Sequence, residues 1–385
     1  MKVLLLSHTC ISRTAGQPKA HALAAFPDVD LTLLVPDRMK TYGQWHDAET
    51  PDPIPAFRYA IGRTRWRSVR GLWYLQHYSD TLPRLLSETQ PDVVDVWEEP
   101  WSLACAQAVS LTRRLCPAAK IIVETEQNLY KRLPPPFRQF QSFSLRRADY
   151  VVARNEEAVT VLRRKGYAGP VEVVPNAVDC DLFRPLPPEE GLRQRAALGW
   201  GGAGEFVVGY VGRLVPEKGL ADALTAVARL PERVRLAFVG EGPLREALAE
   251  QAERLGIADR VHLAGNRPLT SLPECMSAMS VLILPSRTTA TWKEQFGRVL
   301  IEAGACALPV VGSDSGAIPE VIADAGLTFP EGDAAALTDR LHTLLSHPDQ
   351  CTDYGRIGRE RAQNQFSWQK VAGRMHEIYR QLTDG

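Results

Sequence analysis

The chain has 385 residues, 45% of them hydrophobic and 23% charged, with 45 basic against 45 acidic side chains. That length supports two domains with full cores, and the composition excludes a disordered, collagenous or membrane-spanning chain. The charge is uneven but argues against a nucleic-acid binder: residues 1–170 carry 23 Lys and Arg against 17 Asp and Glu, residues 171–385 carry 22 against 28, and no reading motif accompanies the small basic surplus.

Taken in chain order, MKVLLLSHTC opens on an apolar run of four residues, Val3 to Leu6, too short for a secretory segment, and reads as a first β-strand. Further strands are predicted at 31–35, 93–97, 120–124, 149–153 and 171–174. Helical patterns between them are the mark of βαβ units and a parallel sheet. The segment from Val174 to Val178 and the Pro-rich 184–188 read as a hinge. A second series of strands follows at 206–212, 235–240, 260–264, 281–284, 309–312 and 327–329, with helices at 219–229, 243–255 and 298–306. The fold class is therefore α/β, with two doubly wound, Rossmann-like sheets facing across a cleft. Residues 1–175 form one domain and 176–367 the other, and a last helix near 368–385 crosses back onto the first. Ligands of such sheets bind at the carboxyl ends of strands. The seven cysteines (10, 105, 116, 180, 275, 306 and 351) are scattered, with no C-x-x-C pair and no zinc spacing, which predicts reduced thiols and a cytoplasmic protein.

The clearest chemistry lies in EQFGRVLIEAGACALPVVGSDSGAIPE, Glu294 to Glu320. Glu294 precedes a predicted helix beginning near Phe296, and Glu302 lies about a turn and a half into it. Two carboxylates so placed can hold two parts of one extended polar ligand. The N–H groups of Gly297 and Arg298, unsatisfied at a helix start, would face anionic oxygens between them. The second signal is VVGYVGRLVPEKG, Val207 to Gly219. Its strand ends at Gly212, where the missing Cβ admits a ligand close to the backbone, and Arg213 and Lys218 follow on a short loop. Two cations there suit a diphosphate; a solvated basic loop is the alternative.

GRLVPEKG, FVGEGPLRE and EQFGRVLIEAGACALPVVGSDSGAIPEVI together resemble the family 4 glycosyltransferases, retaining enzymes of the GT-B fold, and VVPNAVD to FRP resembles the same family's interdomain signature. The resemblance covers nearly the whole chain and is most specific over 174–330. It implies a metal-independent, retaining transfer of a sugar from a nucleoside-diphosphate sugar to a hydroxyl acceptor, with departure and attack on the same face. No cofactor beyond that co-substrate is implied. On this resemblance Glu294 holds the donor sugar's hydroxyls and Glu302 the ribose. Arg213 and Lys218 neutralise the diphosphate. Phe296, Gly297, Arg298 and Val299 line the phosphates, the last three through main-chain N–H groups. Gly240 to Gly242 and Asn266–Arg267 line the base. The loop after the first strand reads Thr14-Ala15-Gly16-Gln17 where the family commonly has two glycines, so Gly16 alone keeps the close approach to the donor.

The family commonly places a His after the fourth strand; here Glu126 stands in the matching place. It could bond a sugar hydroxyl, stabilise positive charge at the anomeric carbon or assist deprotonation of the acceptor, and a plain surface carboxylate is the other reading. Trp97, Glu98, Glu99, Trp101 and Asn128 are candidates for the acceptor, which could be a glycan, a lipid-linked sugar or a small molecule. A packed Trp beside solvated acids is the alternative. His8 and His21 have no evident partner. Two D-x-D strings, 28–30 and 179–181, read as surface turns and not as metal sites. From Phe57 to Tyr78 the chain carries Arg58, Arg63, Arg65, Arg67, Arg70, Trp66, Trp73 and Tyr74 with no acid. Three readings stay open for it: peripheral contact with the inner membrane face, a phosphate-bearing acceptor, or a solvated helix-loop with half-buried aromatics. The rival functions are a sugar-nucleotide epimerase or hydrolase of the same fold, a two-Rossmann NAD enzyme lacking the third Gly of its fingerprint at Gly240-Glu-Gly242, and a non-catalytic sugar-nucleotide-binding protein.

Overall fold

A computed structural model describes residues 1–41, 44–52, 54–66 and 73–384. They fall into two compact units, Met1–Pro175 with Trp368–Gly385, and Asn176–Ser367. The first unit is built on a seven-stranded parallel sheet of β1 (Lys2–Ser7), β2 (Asp30–Pro36), β3 (Arg58–Gly62), β4 (Val93–Trp97), β5 (Lys120–Thr125), β6 (Tyr150–Ala153) and β7 (Val171–Val173), in spatial order β7-β6-β5-β4-β1-β2-β3. Runs such as VLLLS and VVDVW are buried along their whole length, as expected where helices cover both faces of a parallel sheet. Leu5 pairs with Leu33 of β2 on one side and with Asp95 of β4 on the other. The chain winds outward from β1 through β2 and β3, then returns across β1 to β4. The crevice at the carboxyl ends of β1 and β4 is therefore the switch point where such sheets take ligands.

A carboxylate in mid-strand needs partners. Asp95 finds Lys19, on the helix Gln17–Ala24, at 3.1 Å, and the Tyr379 hydroxyl donates to it at 2.6 Å. Lys19 and Arg154 both bind Glu124 of β5, and both cations lie over the Trp97 ring, at 4.6 and 5.0 Å from its centroid. All of these side chains are buried. Burial pulls the Lys19 ammonium down to about 8, against the opposing pull of Asp95. Tyr379 belongs to the helix Trp368–Thr383, which lies on this unit. There His376 bonds Asp28 at 2.9 Å and stacks on Phe26, and Arg374 pairs with Glu172.

The second unit carries β8 (Phe206–Val211), β9 (Val234–Val239), β10 (Val261–Gly265), β11 (Val281–Leu284), β12 (Val310–Ser313) and β13 (Gly326–Phe329), in order β10-β9-β8-β11-β12-β13. Its switch point lies between β8 and β11. Val207, Val208, Phe238, Leu282 and Ile283 form the centre of one continuous core.

Every strand expected from the sequence is present, with its ends within one residue of those expected. The exceptions lie between β2 and the helix Thr81–Thr89. Arg58–Gly62 is an edge strand and not part of a helix-loop, with Thr32 opposite Arg58. Its residues Arg58 and Ile61 are exposed and the rest are partly or fully buried, and the arginines Arg58 and Arg63 at its ends guard a sheet edge. Two antiparallel ribbons, Arg38–Thr41 with Gln44–Asp47 and Thr64–Arg65 with His77–Tyr78, were also not foreseen. Arg67 and Arg70 lie outside the described residues. Of the D-x-D strings, Asp179 accepts from the N–H groups of Asp181 and Leu182 in a turn, and Asp28 is exposed at the approach to β2. All seven cysteines are free thiols.

Candidate functional site

At the second unit's switch point the loop after β8 meets the loop after β11. Gly219, at φ +64°, makes this contact: a Cβ there would stand 1.9 Å from the Pro285 carbonyl oxygen. The approach sets Lys218 against Glu294, Nζ to Oε2 at 2.6 Å, and the Ser286 hydroxyl donates to the same oxygen at 2.7 Å. Lys218 also lies 4.8 Å from the centroid of the Trp292 ring. Glu294 is buried, and its own carbonyl accepts from Ala317. Arg213 is part-exposed on the same loop, with Glu217 3.7 Å from its guanidinium and its carbonyl held by the Tyr210 hydroxyl.

The helix expected from Phe296 runs over Arg298–Ala305. Gly297, at φ +79°, lies outside helical space and caps the helix with its main chain alone, which is why the helix starts at Arg298. Glu302 sits on this helix with Arg298 3.8 Å away, and burial raises its pKa above the ordinary carboxylate range, with Arg298 opposing. The Phe296 ring is buried in the core, edge-on to Phe366 at 5.9 Å, so only its main chain can serve a ligand. Asn266 and Arg267 are exposed at the end of β10, beside the loop of Gly240 to Gly242, because the Gly240 N–H bonds the Gly265 carbonyl at 2.8 Å. The tight approaches of Gly212, Gly242 and Gly16 are to the protein itself. A Cβ on each would stand 2.7 Å from the Tyr210 hydroxyl, 2.3 Å from the Leu214 carbonyl and 2.4 Å from the Thr9 carbonyl respectively.

The first unit's switch point holds a pair that sequence reasoning missed. Glu98, at the end of β4, accepts both the main-chain N–H of His8 at 2.8 Å and its ring Nδ1 at 2.7 Å. Burial disfavours the imidazolium, but Glu98, with Glu126 and Glu99 beyond it, outweighs burial and raises the His8 pKa. Glu99 in turn accepts from the Glu126 N–H at 2.7 Å and the Thr125 hydroxyl at 2.8 Å, while burial pushes its own pKa upward. Glu126 is a third exposed and stands 3.8 Å from Arg154. The structure brings together Glu98, Glu99 and Glu126, which the sequence offered as separate candidates. Only the position of His8, directly after the first strand, could have hinted that it joins them.

Trp97 is corrected: its ring is buried between Lys19 and Arg154 and offers no face to an acceptor. Trp101 packs edge-on against Tyr74 at 5.2 Å, and Asn128 is buried with its amide on Glu157. Among the described residues no cluster of His, Cys, Asp and Glu could hold a metal ion, and no helix is long and apolar enough to cross a membrane.

Two family models match the chain in succession, Glycosyltransferase Family 4 over residues 20–182 and Glycosyl transferases group 1 over 200–361. The chain belongs to the family 4 glycosyltransferases. Among its relatives in that family is a GDP-mannose-dependent alpha-(1-6)-phosphatidylinositol monomannoside mannosyltransferase of Mycolicibacterium smegmatis, 34% identical over 55% of this chain and 57% of the relative. Another is the 2-deoxystreptamine glucosyltransferase of Streptomyces kanamyceticus, 31% identical over 60% of each chain. The aligned region thus spans a little over half the length of these curated relatives. HepE of Anabaena, solved with UDP and glucose, superposes with a TM-score of 0.74 over 98% of this chain and 99% of its own, at 19% identity. The family 4 fold is GT-B, and both sheets described above conform to it.

Proposed function

We propose that the protein is a retaining, metal-independent glycosyltransferase that moves a sugar from a nucleoside-diphosphate sugar to a hydroxyl acceptor. The observation that carries this is the convergence of Lys218, Glu294 and Ser286 at the switch point between β8 and β11, with Arg213 on the same loop. In this reading Lys218 and Arg213 stabilise the charge that builds on the departing diphosphate, a term that is commonly the largest in such catalysis. They supply positive charge where other enzymes use a divalent ion. Glu294 orients the donor sugar through its hydroxyls. Glu302 holds the ribose, and the N–H groups of Gly297, Arg298 and Val299 meet phosphate oxygens. The relatives named above act, by name, from GDP-mannose or on 2-deoxystreptamine, and HepE was solved with UDP. These support a sugar nucleotide as donor. The free thiols support a reducing, cytoplasmic setting, and the exposed Trp45 and Trp66 beside Arg38, Lys40 and Arg65 support peripheral contact with an anionic membrane.

Calorimetric titration with UDP, GDP, ADP and NAD is the direct test, followed by a mass-spectrometric screen of the corresponding donors in the presence of EDTA. One nucleoside diphosphate should bind and NAD should not. Its sugar donor should be consumed with the anomeric configuration kept, and Lys218→Ala should lower turnover by about 10²–10³-fold. A fully active Lys218→Ala protein, or NAD binding in place of a nucleoside diphosphate, would overturn the assignment.

A further inference from the structure

The loops after β8 and β11 are joined a second time, by groups other than Lys218 and Glu294. Arg287 follows Ser286 in the loop after β11. Its guanidinium meets the Asp222 carboxylate with two arms, Nε to Oδ2 at 2.8 Å and Nη2 to Oδ1. Its main-chain N–H bonds the Glu217 carbonyl at 2.8 Å. Its stem lies against Gly219, where an added Cβ would stand 3.4 Å from Arg287 Cγ. One residue thus holds the chain immediately before Lys218, immediately after it, and again at Asp222 in the first turn of the helix Leu220–Ala228.

An acid in a first helical turn has a plainer use, since it faces unsatisfied N–H groups there, and an exposed ion pair contributes little. Neither account fits Asp222. Its carboxylate is buried and takes the guanidinium fork in the two-armed geometry that fixes direction as well as charge. The residues on either side of Arg287 anchor the same loop elsewhere. The Ser286 hydroxyl donates to Glu294, and the Ser286 carbonyl accepts from the hydroxyl of Ser313, at the end of β12, at 2.6 Å. The Thr288 N–H bonds Glu331, just beyond β13, at 2.6 Å. Residues 286–288 therefore gather four strand ends to one point, and Arg287 carries that tie to the loop of Lys218.

We propose that Arg287, paired with Asp222, is a positioning residue that holds the loop of Lys218 in register with the loop of Glu294, so that the Lys218 ammonium meets the donor's diphosphate. The inference rests on the glycosyltransferase reading. An ammonium has three N–H donors. When a donor binds, Lys218 turns some of them to phosphate, and its bond to Glu294 no longer sets the spacing of the loops alone. A junction made by other groups keeps that spacing. The demand is strict, because a misplacement of about 1 Å can cost about 10²-fold where catalysis depends on position.

The experiment is a calorimetric titration of the full-length chain with UDP, GDP and ADP, a readout that needs no acceptor. Arg287→Lys and Asp222→Asn are each measured with Lys218 present and in the Lys218→Ala background. Arg287→Lys keeps the charge and loses the fork, and should weaken the nucleoside diphosphate that binds by about 10-fold. Asp222→Asn decides between position and charge. Removal of a carboxylate near an anion site would tighten binding if Arg287 met the phosphates itself, whereas loss of the junction should weaken it, again by about 10-fold. In the Lys218→Ala background both substitutions should change affinity by less than about 2-fold, because they act through Lys218. A merely structural role would weaken binding equally in both backgrounds, and thermal melts report whether each variant folds. If Asp222→Asn fails to fold, Arg287→Lys decides alone. Unchanged affinity in Arg287→Lys, tighter binding in Asp222→Asn, or an undiminished loss in the Lys218→Ala background would overturn the inference. Absence of nucleoside diphosphate binding in the wild type would instead overturn the reading beneath it.

Discussion

Each unit sets an ion pair at the same place, the crevice between its first strand and the strand that returns across it, yet the two are made differently. In the first, the loop after β1 supplies His8 and the end of β4 supplies Glu98. In the second, the loop after β8 supplies Lys218 and the loop after β11 supplies Glu294. One pair sets an ammonium against a carboxylate, the other an imidazole against a carboxylate, and an imidazole changes its charge within the neutral range. The sheets beneath differ as well. β8 and β11 read FVVGYV and VLIL, without a charge, while β4 and β5 carry Asp95 and Glu124 in their interiors. The two strands that flank the switch point thus bury charge in the first unit and carry none in the second.

That difference can be broken at its deepest point first. Lys19→Met leaves Asp95 and Glu124 without their shared cation and should cost about 3–5 kcal/mol, read as a fall in melting temperature of roughly 10 °C. A melt coincident with wild type would show that the buried charges are not what holds the first sheet. At the rim of the second sheet, Glu294→Gln should behave in the opposite way. Turnover should fall about 10²-fold while the melting temperature moves by less than about 3 °C, because the amide oxygen still accepts from Ser286 and Lys218. Tyr379→Phe removes one hydrogen bond to the buried Asp95 and should destabilise by about 1.5–3 kcal/mol. Denaturant midpoints would show whether the C-terminal helix is held by that bond or by its apolar face.

The smallest effect separates the two pairs by pH. His8 has a folded-state pKa raised above its unfolded value. Its contribution to stability is therefore fully present below about pH 6.5 and is lost as pH rises through the folded value. The stability lost in Glu98→Gln should be greater near pH 6 than near pH 9. Chemical denaturation at both values measures it, and an equal loss at both would assign Glu98 a purely neutral hydrogen-bonding role.

Much of the second unit's site was legible because its signals are local. Gly212 to Gly219 and Glu294 to Glu302 each lie within one loop and one helix start, and local backbone chemistry ties residue type to position there. Whether the Phe296 ring faces core or solvent was not legible, since an aromatic before a helix start looks the same in sequence either way. In the first unit the reading failed where meaning depends on distance. His8 and Glu98 stand 90 residues apart, and Lys19 and Glu124 stand 105 apart. Trp97 stayed open between an acceptor contact and a packed ring because its two cations lie far away in the chain. The strand at Arg58–Gly62 was not foreseen because its short run, RYAIG, shows no period-2 alternation.

Composition and periodicity alone determined two α/β sheets, the strand positions, and the residue types gathered at the second unit's strand ends, since burial on both faces demands continuous apolar runs and close backbone contact demands glycine. Tertiary structure alone decided which strand ends adjoin. Strand order sets β4 beside β1 and β11 beside β8, and with it the pairing of His8 with Glu98 and Lys218 with Glu294. Hydrogen bonding between strands is indifferent to the length of chain that joins them, so no local pattern records those neighbours.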